Sequence, residues 1–359
     1  MKFGIAYDLR NPRRWMVPFN KLYQECVNQA AAVEELGFDS VWVCEHHYSE
    51  DDGWIPAGLT LAAAIAARTQ RVKIGTYIIP LPFHDPVRVA EQVTVLDYLS
   101  NGRIRLGVAV GYRVQEFRTH GIDRKERGAR LEEGIDIIRK CWTEEKFSYD
   151  GRFNKLKDLT FYPRPIQVPH PPIYIGAQTA AAIRRAARLG CHLLPFGGPG
   201  TYKLYTDALR ENGRDPSQYE FATMYLYSPI VCRDPEAVWK TYRQQIMYRL
   251  DWYDRWYNEA ADLPKNQLQL LADASERERR EREAIMTPEE CIAFMTKFLA
   301  NMPCTEVVMW AGYAGVPLSV SFEWIELFAK EVMPHFGNTV GGYAVDTSAP
   351  RKPSMMLKS

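Results

Sequence analysis

The chain has 359 residues, 46% of them hydrophobic, and a formal net charge of +1. That balance excludes nucleic acid as the main partner, because neutralising phosphates needs a basic excess. It supplies ample apolar and aromatic material for a large core, housed in one barrel-sized unit or in two smaller ones. Seven cysteines make an odd count without CxxC spacing, which reads as reduced thiols. The first ten residues meet charge early and hold no apolar signal core, and no stretch approaches the ~20 apolar residues of a membrane span. The expected setting is the cytoplasm.

Short β-branched runs alternate with amphipathic helical patterns along the chain. Residues 3–7 predict a first strand, and 22–36 a helix that stops at Gly37. Residues 40–44 and 59–68 form the second strand–helix pair, 72–79 and 87–99 the third, and 103–110 and 128–141 the fourth. A polar, aromatic excursion over 143–172 reads as a loop with a small hairpin. Residues 173–176 with 179–189, and 192–196 with 202–211, give the fifth and sixth pairs. Residues 221–232 predict the seventh strand, followed by a long helix over 235–257. The stretch Thr287-Pro288-Glu289-Glu290 marks a further helix start. Glu306–Trp310 is the eighth strand, closed by a helix over 322–332.

Strict alternation implies parallel strands, and eight such units close a barrel. An open doubly wound sheet is the rival, but no GxGxxG follows the first strand, where a dinucleotide fingerprint would sit. The expected fold class is therefore α/β, a (β/α)8 TIM barrel forming one domain over 1–335, with a tail over 336–359. Insertions fall at 143–172 and 258–286. The second, rich in Glu and Arg, reads as a solvated charged surface or as a lid over the barrel mouth.

In such a barrel the active site lies at the C-terminal ends of the strands. The second strand ends in Glu45, His46 and His47, and the third runs through Tyr77 and Ile78 to His84. The fourth ends in Val110, Gly111, Tyr112 and Arg113, the fifth in Gly176, Ala177, Gln178 and Thr179, and the sixth in Phe196. Rich in glycine and aromatics and poor in acids, this set suits a flat, conjugated cofactor. A metal is the competing idea, since Glu45, His46, His47, Asp51 and Asp52 cluster in sequence. Adjacent histidines on an extended segment point to opposite faces, however, and no ligand from another strand is obvious, so no metal is expected. One histidine of the pair is expected to hydrogen-bond within the rim and the other to trade protons. The turn from Gly176 to Thr179 opens a helix whose first amides bind phosphate, or it is simply a tight strand-to-helix turn.

Residues 36–48 resemble the second-strand region of the bacterial luciferase α subunit. Gly75-Thr76, Leu81-Pro82, residues 86–88 and residues 96–107 are similar to that family's longest motif. Further correspondences at 172–175, 287–291 and 331–334 keep the same order along almost the whole chain. The resemblance implies a flavin-dependent, luciferase-like monooxygenase. Reduced FMN (FMNH2), supplied by a separate flavin reductase, would react with O2 to a C4a-hydroperoxide and oxygenate a small organic substrate. It also implies His46 as general base and a phosphate site at Gln178 and Thr179. Further flavin contacts fall on Glu45, Tyr77, Ile78, Val110, Gly111, Tyr112, Gly176, Ala177 and Phe196. A cis peptide at Tyr77-Ile78 and a homodimer built on helices beside the second and third strands, where 59–67 is Ala-rich, complete the expectation.

Three positions depart from the family's pattern. The fourth-strand cysteine beside the flavin is Ala109, and the neighbouring phosphate-binding arginine is Val110, which leaves Arg113 or backbone groups to compensate. The small pair at the third-strand contact is the bulkier Tyr77-Ile78. Two alternatives stay open: an F420-dependent hydride-transfer oxidoreductase on the same barrel, and a flavin-binding partner subunit without catalysis.

Overall fold

Where the sequence alternates β-branched runs with amphipathic ones, the chain alternates strands with helices. The computed structural model describes residues 1–49, 55–195, 198–224, 229–259, 284–302 and 304–337. β1 (Lys2–Tyr7) leads to α1 (Phe19–Glu35), and β2 (Ser40–Val43) to α2 (Gly58–Arg68). β3 (Lys73–Thr76) and the short β4 (Ile79–Pro80) precede α3 (Pro86–Leu99). β5 (Ile104–Ala109) is followed by α4 (Val114–Thr119) and α5 (Arg127–Thr143), then by the antiparallel hairpin of β6 (Lys146–Asp150) and β7 (Lys155–Thr160). β8 (Ile173–Ala177) leads to α6 (Ala180–Arg188), and β9 (His192–Pro195) to α7 (Pro199–Glu211). β10 (Ala222–Met224), β11 (Ile230–Val231) and α8 (Pro235–Glu259) come next. β12 (Ile285–Met286), α9 (Pro288–Asn301), β13 (Glu306–Trp310) and α10 (Leu318–Leu327) complete the described helices and strands used below.

The wall runs β10-β13-β1-β2-β3-β5-β8-β9 with parallel pairing. An isolated parallel bridge, Leu193 to Phe221, brings its two ends together. These eight strands with their outer helices make the expected TIM barrel. One predicted strand is broken: the third stops at Thr76, and a non-prolyl cis bond at Tyr77-Ile78, as anticipated, separates it from β4. Of the predicted seventh strand over 221–232, residues 225–228 lie outside the described residues; β10 belongs to the barrel, whereas β11 pairs with β12. α4 was not anticipated, because six residues are too short for a periodicity to declare itself. α9 begins at the expected Thr287, whose side chain and Glu290 form a reciprocal capping box. Most of the 258–286 insertion and the tail from residue 338 onward lie outside the described residues.

Alternation of side chains along each strand divides the core in two. Phe3, Ile5, Val41, Val43, Ile74, Leu106 and Val307 face outward beneath the helices. Ala6, Trp42, Tyr77, Tyr174, Leu194, Val308 and Trp310 fill the barrel. Trp42 crosses the interior so closely that a Cβ on Gly75 would lie 2.1 Å from its ring, which is why the position on the neighbouring strand carries no side chain. No helix among the described residues is long and apolar enough to cross a membrane. All seven cysteines are free and buried.

The N-terminal end of the barrel is closed by charge. The Arg105 guanidinium reaches Glu306 at 2.7 Å and Glu220 at 3.7 Å, and Lys2 meets Glu220 at 2.9 Å. Tyr174 donates its hydroxyl to Glu220, and the Trp42 indole N–H donates to Ser40 at 2.7 Å. Burial pushes the Glu220 carboxyl up, but Arg105, Tyr174 and Lys2 outweigh it and hold the group at about 2. A carboxyl lowered on folding adds stability above its unfolded value of ~4.3, and that stability is lost as pH falls through the folded value. Glu220→Gln should therefore cost on the order of 2–3 kcal/mol at pH 7 and flatten the acid limb of stability between about pH 5 and pH 2. Urea unfolding across that range tests this; an unchanged acid limb would remove Glu220 from the account.

Candidate active site

At the opposite end, the strand ends surround a cavity of about 540 Å³. Its wall contains Glu45, His46, Tyr77, Ile78, Val110, Gly111, Tyr112, Gly176, Ala177, Gln178 and Thr179, so the cofactor-facing residues expected from the sequence come together. Phe196 lies outside the described residues.

One side of the cavity is a narrow, mostly apolar slot. Tyr77 is fixed by its N–H to the Val43 carbonyl at 2.7 Å and by an edge-to-face contact with Trp42. Ile78 lies against Gly176, where an added Cβ would sit 2.0 Å from the Ile78 Cδ1 and 3.4 Å from Ala109. Glycine here lets β8 approach the break in the third strand. At the far side α6 begins, and the Thr179 side chain caps it by accepting from the Ala182 N–H at 3.3 Å.

The three acid–histidine neighbours of β2 divide their work. Glu45, 7% exposed, accepts from the Gly58 N–H at 3.1 Å, from His47 at 3.1 Å and from His84 at 2.7 Å. Burial raises its carboxyl, yet the bonds from His47 and His84 prevail and hold it at about 2. Glu45 lines the cavity, but its charge is committed to the rim. The His47 backbone N–H donates to Glu116 at 3.2 Å, and its carbonyl accepts from Arg113.

His46 points the other way, into the cavity, with its ring 5.6 Å from Trp256 of α8. Burial, then the charges of Arg10 and Arg113, push this imidazole down to about 3, so it is neutral near pH 7. Trp256 is itself packed under the Arg113 and Arg10 guanidinium groups, at 4.3 Å and 5.6 Å.

One expectation changes. Arg113 does not replace the missing phosphate-binding arginine: it is buried against Glu116, His47 and Trp256, and it does not line the cavity. Positive charge arrives instead from Lys125, Arg127 and Arg185, which line the cavity near the start of α6. Reading the sequence missed them. The basic run Arg124, Lys125, Arg127, just ahead of the predicted helix over 128–141, was the available signal. Trp256 was missed as well, because periodicity cannot say which helix folds over the mouth.

A parallel β/α barrel with an apolar cavity and a cationic helix start at its strand ends places the chain in the TIM-barrel class. Residues 1–296 match the family described as luciferase-like monooxygenase, and the chain belongs to that family. An F420-dependent glucose-6-phosphate dehydrogenase of Amycolatopsis mediterranei is 36% identical over 192 residues, 52% of this chain and 57% of the relative. One of the same description from Nakamurella multipartita is 37% identical over 197 residues, 53% of this chain and 57% of the relative. The match thus spans little more than half the length of these curated relatives. Among solved structures, a monooxygenase from Streptomyces bottropensis is 26% identical with a TM-score of 0.80, covering 94% of this chain and all of the other.

The expectation of FMN is corrected by these relatives, which are F420-dependent enzymes. FMN was implied by the resemblance alone, and glycine and apolar residues at strand ends do not distinguish one flat conjugated ring from another.

Trp256→Ala should cost about 3 kcal/mol or more, as loss of a large buried aromatic does, and loosen α8 over the mouth. Denaturant unfolding measures the first effect and amide exchange in α8 the second. A cost below ~1 kcal/mol would mean that α8 is not seated on the site.

Proposed function

We propose that the chain is an F420-dependent oxidoreductase that exchanges a hydride with a hydroxyl-bearing carbon of a small organic substrate. The curated F420-dependent relatives carry this reading, and the cavity supports it. The residues present fit a deazaflavin with a phosphate-bearing side chain. Tyr77, Ile78, Ala109, Val110 and Gly176 offer flat, apolar walls, and the start of α6 with Gln178, Thr179, Lys125, Arg127 and Arg185 offers an anion cradle. When bound, F420 accepts or returns a hydride without O2, so neither oxygen nor a dedicated flavin reductase enters this reading.

The protein's own part is to position and to move a proton. As the substrate's C–H leaves as hydride, its O–H proton passes to His46, giving a carbonyl product. A neutral imidazole facing the cavity can take that proton, a role worth roughly 10²–10⁴-fold in rate. Its low basicity makes it a transient acceptor, which favours transfer in concert with hydride departure. Trp256 and the Arg10 and Arg113 groups stacked on it cover His46 from solvent.

His46→Ala should keep F420 affinity and lose about 10²-fold or more in hydride-transfer rate. Thr179→Asp, which sets like charge beside the phosphate cradle, should weaken F420 binding with little effect on the fold. Both are read by titrating F420 into the purified protein and following its reduction by alcohols and sugar phosphates. Failure to bind F420, with binding of FMN instead, would overturn the reading; wild-type rates in His46→Ala would overturn the assignment of the base.

Residues 1–335 are proposed to act as one unit, and two copies to pair through α2 and α3. Val95, Tyr98 and Leu99 of α3 are exposed apolar side chains suited to such a contact. Light scattering at micromolar concentration should give twice the chain mass; a monomer would end the pairing proposal.

A further inference from the structure

Glu45, His47 and His84 hold their ligand atoms within 4.8 Å of one another at the rim of the barrel. Neighbouring histidines on an extended segment diverge, so His46 and His47 could not share an ion. The third donor comes from elsewhere: His84, which follows the turn after β4, 37 positions from His47. On the extended rim Glu45 and His47 share one face, and His46 takes the other.

Two of the three donor separations are close to those around a bound ion. Glu45 Oε1 stands 3.1 Å from His47 Nε2 and 2.7 Å from His84 Nε2. Adjacent donors around an octahedral ion with bonds of ~2.1 Å are about 3.0 Å apart. The Gly58 N–H holds the other carboxylate oxygen at 3.1 Å, which fixes the plane of the group and leaves Oε1 to the two imidazoles. Side-chain exposure rises from 3% at Glu45 to 14% at His47 and 28% at His84, giving an anchored anion at the base and an entry from solvent.

We propose that Glu45, His47 and His84 form a site for one divalent first-row transition ion, completed by water. Two imidazoles and one carboxylate are a borderline-soft donor set that suits cobalt, nickel, iron or zinc and disfavours Mg²⁺ and Ca²⁺, which take oxygen ligands. The ion replaces the two Nε2 protons now shared with Glu45. It lies at the rim on the side of His47 and His84, and ties the end of β2 to the turn before α3. The cysteines do not compete for it, since all seven are buried.

The test is titration of metal-free, full-length protein with Co²⁺, followed by calorimetry and by the visible absorption of the bound ion. One Co²⁺ per chain is expected, with a Kd of ~1 μM or tighter. His47→Ala and His84→Ala should each weaken it about tenfold or more, the scale on which loss of a supporting group is felt at a metal site. His120→Ala, which removes the nearby imidazole outside the triad, should not. Circular dichroism of each variant separates lost ligands from lost fold. Absence of Co²⁺ and Zn²⁺ binding, or binding that both triad variants leave intact, would overturn the proposal and leave the three groups as a hydrogen-bonded cluster.

Discussion

The Glu45 carboxylate is the junction on which the mouth of the barrel depends. A charge this buried is costly unless donors surround it, and it has three: the peptide N–H at the start of α2, and the imidazoles of His47 and His84. Those donors belong to three separate stretches of chain, so one side chain locks the ends of β2 and the third strand to each other. Orientation follows from that lock. Because His47 is held to Glu45 and Glu116, the adjacent His46 is turned to the other side of the extended segment, and α8 brings Trp256 to meet it. The placement of the cavity-facing histidine is thus a consequence of its neighbours' bonds.

The two ends of the cavity have different origins. The apolar slot is a property of the barrel, made where the third strand breaks and Gly176 allows close approach. The cationic end is assembled from the segment before α5 and the first turns of α6, which lie off the barrel wall. The barrel supplies the apolar walls, and the residues off the wall supply the charge. Family membership fixes the architecture and leaves the reaction to the site.

Much of the fold was legible because its signals are local. The eighth strand occupies the predicted Glu306–Trp310, and Thr287 with Glu290 announced a helix start through capping chemistry that any sequence displays. An apolar run cannot reveal that the end of the predicted seventh strand pairs with β12. At the site, residues on strand ends were readable, because the barrel dictates where strand ends go. Trp256 and Arg185 were not, nor was the contact of His84 with Glu45. Each acts through a contact with residues far off in sequence, and neither spacing nor periodicity carries that information. Arg113 was offered beside backbone groups as a phosphate partner because it followed the strand end, whereas the structure buries it against Glu116 and Trp256.

The buried thiols give the molecule a built-in clock. Cys26 lies between α1 and the barrel wall, Cys44 at the mouth, Cys141 on α5 and Cys291 on α9, all shielded from solvent. Burial raises each of these thiols above its ordinary value, so few are thiolate and an alkylating reagent finds little to attack in the native state. Labelling must wait for the segment that covers a given sulfur to lift. The order in which the sulfurs react therefore ranks the local opening of the mouth, the outer helices and the C-terminal helices within a single chain, with no introduced label.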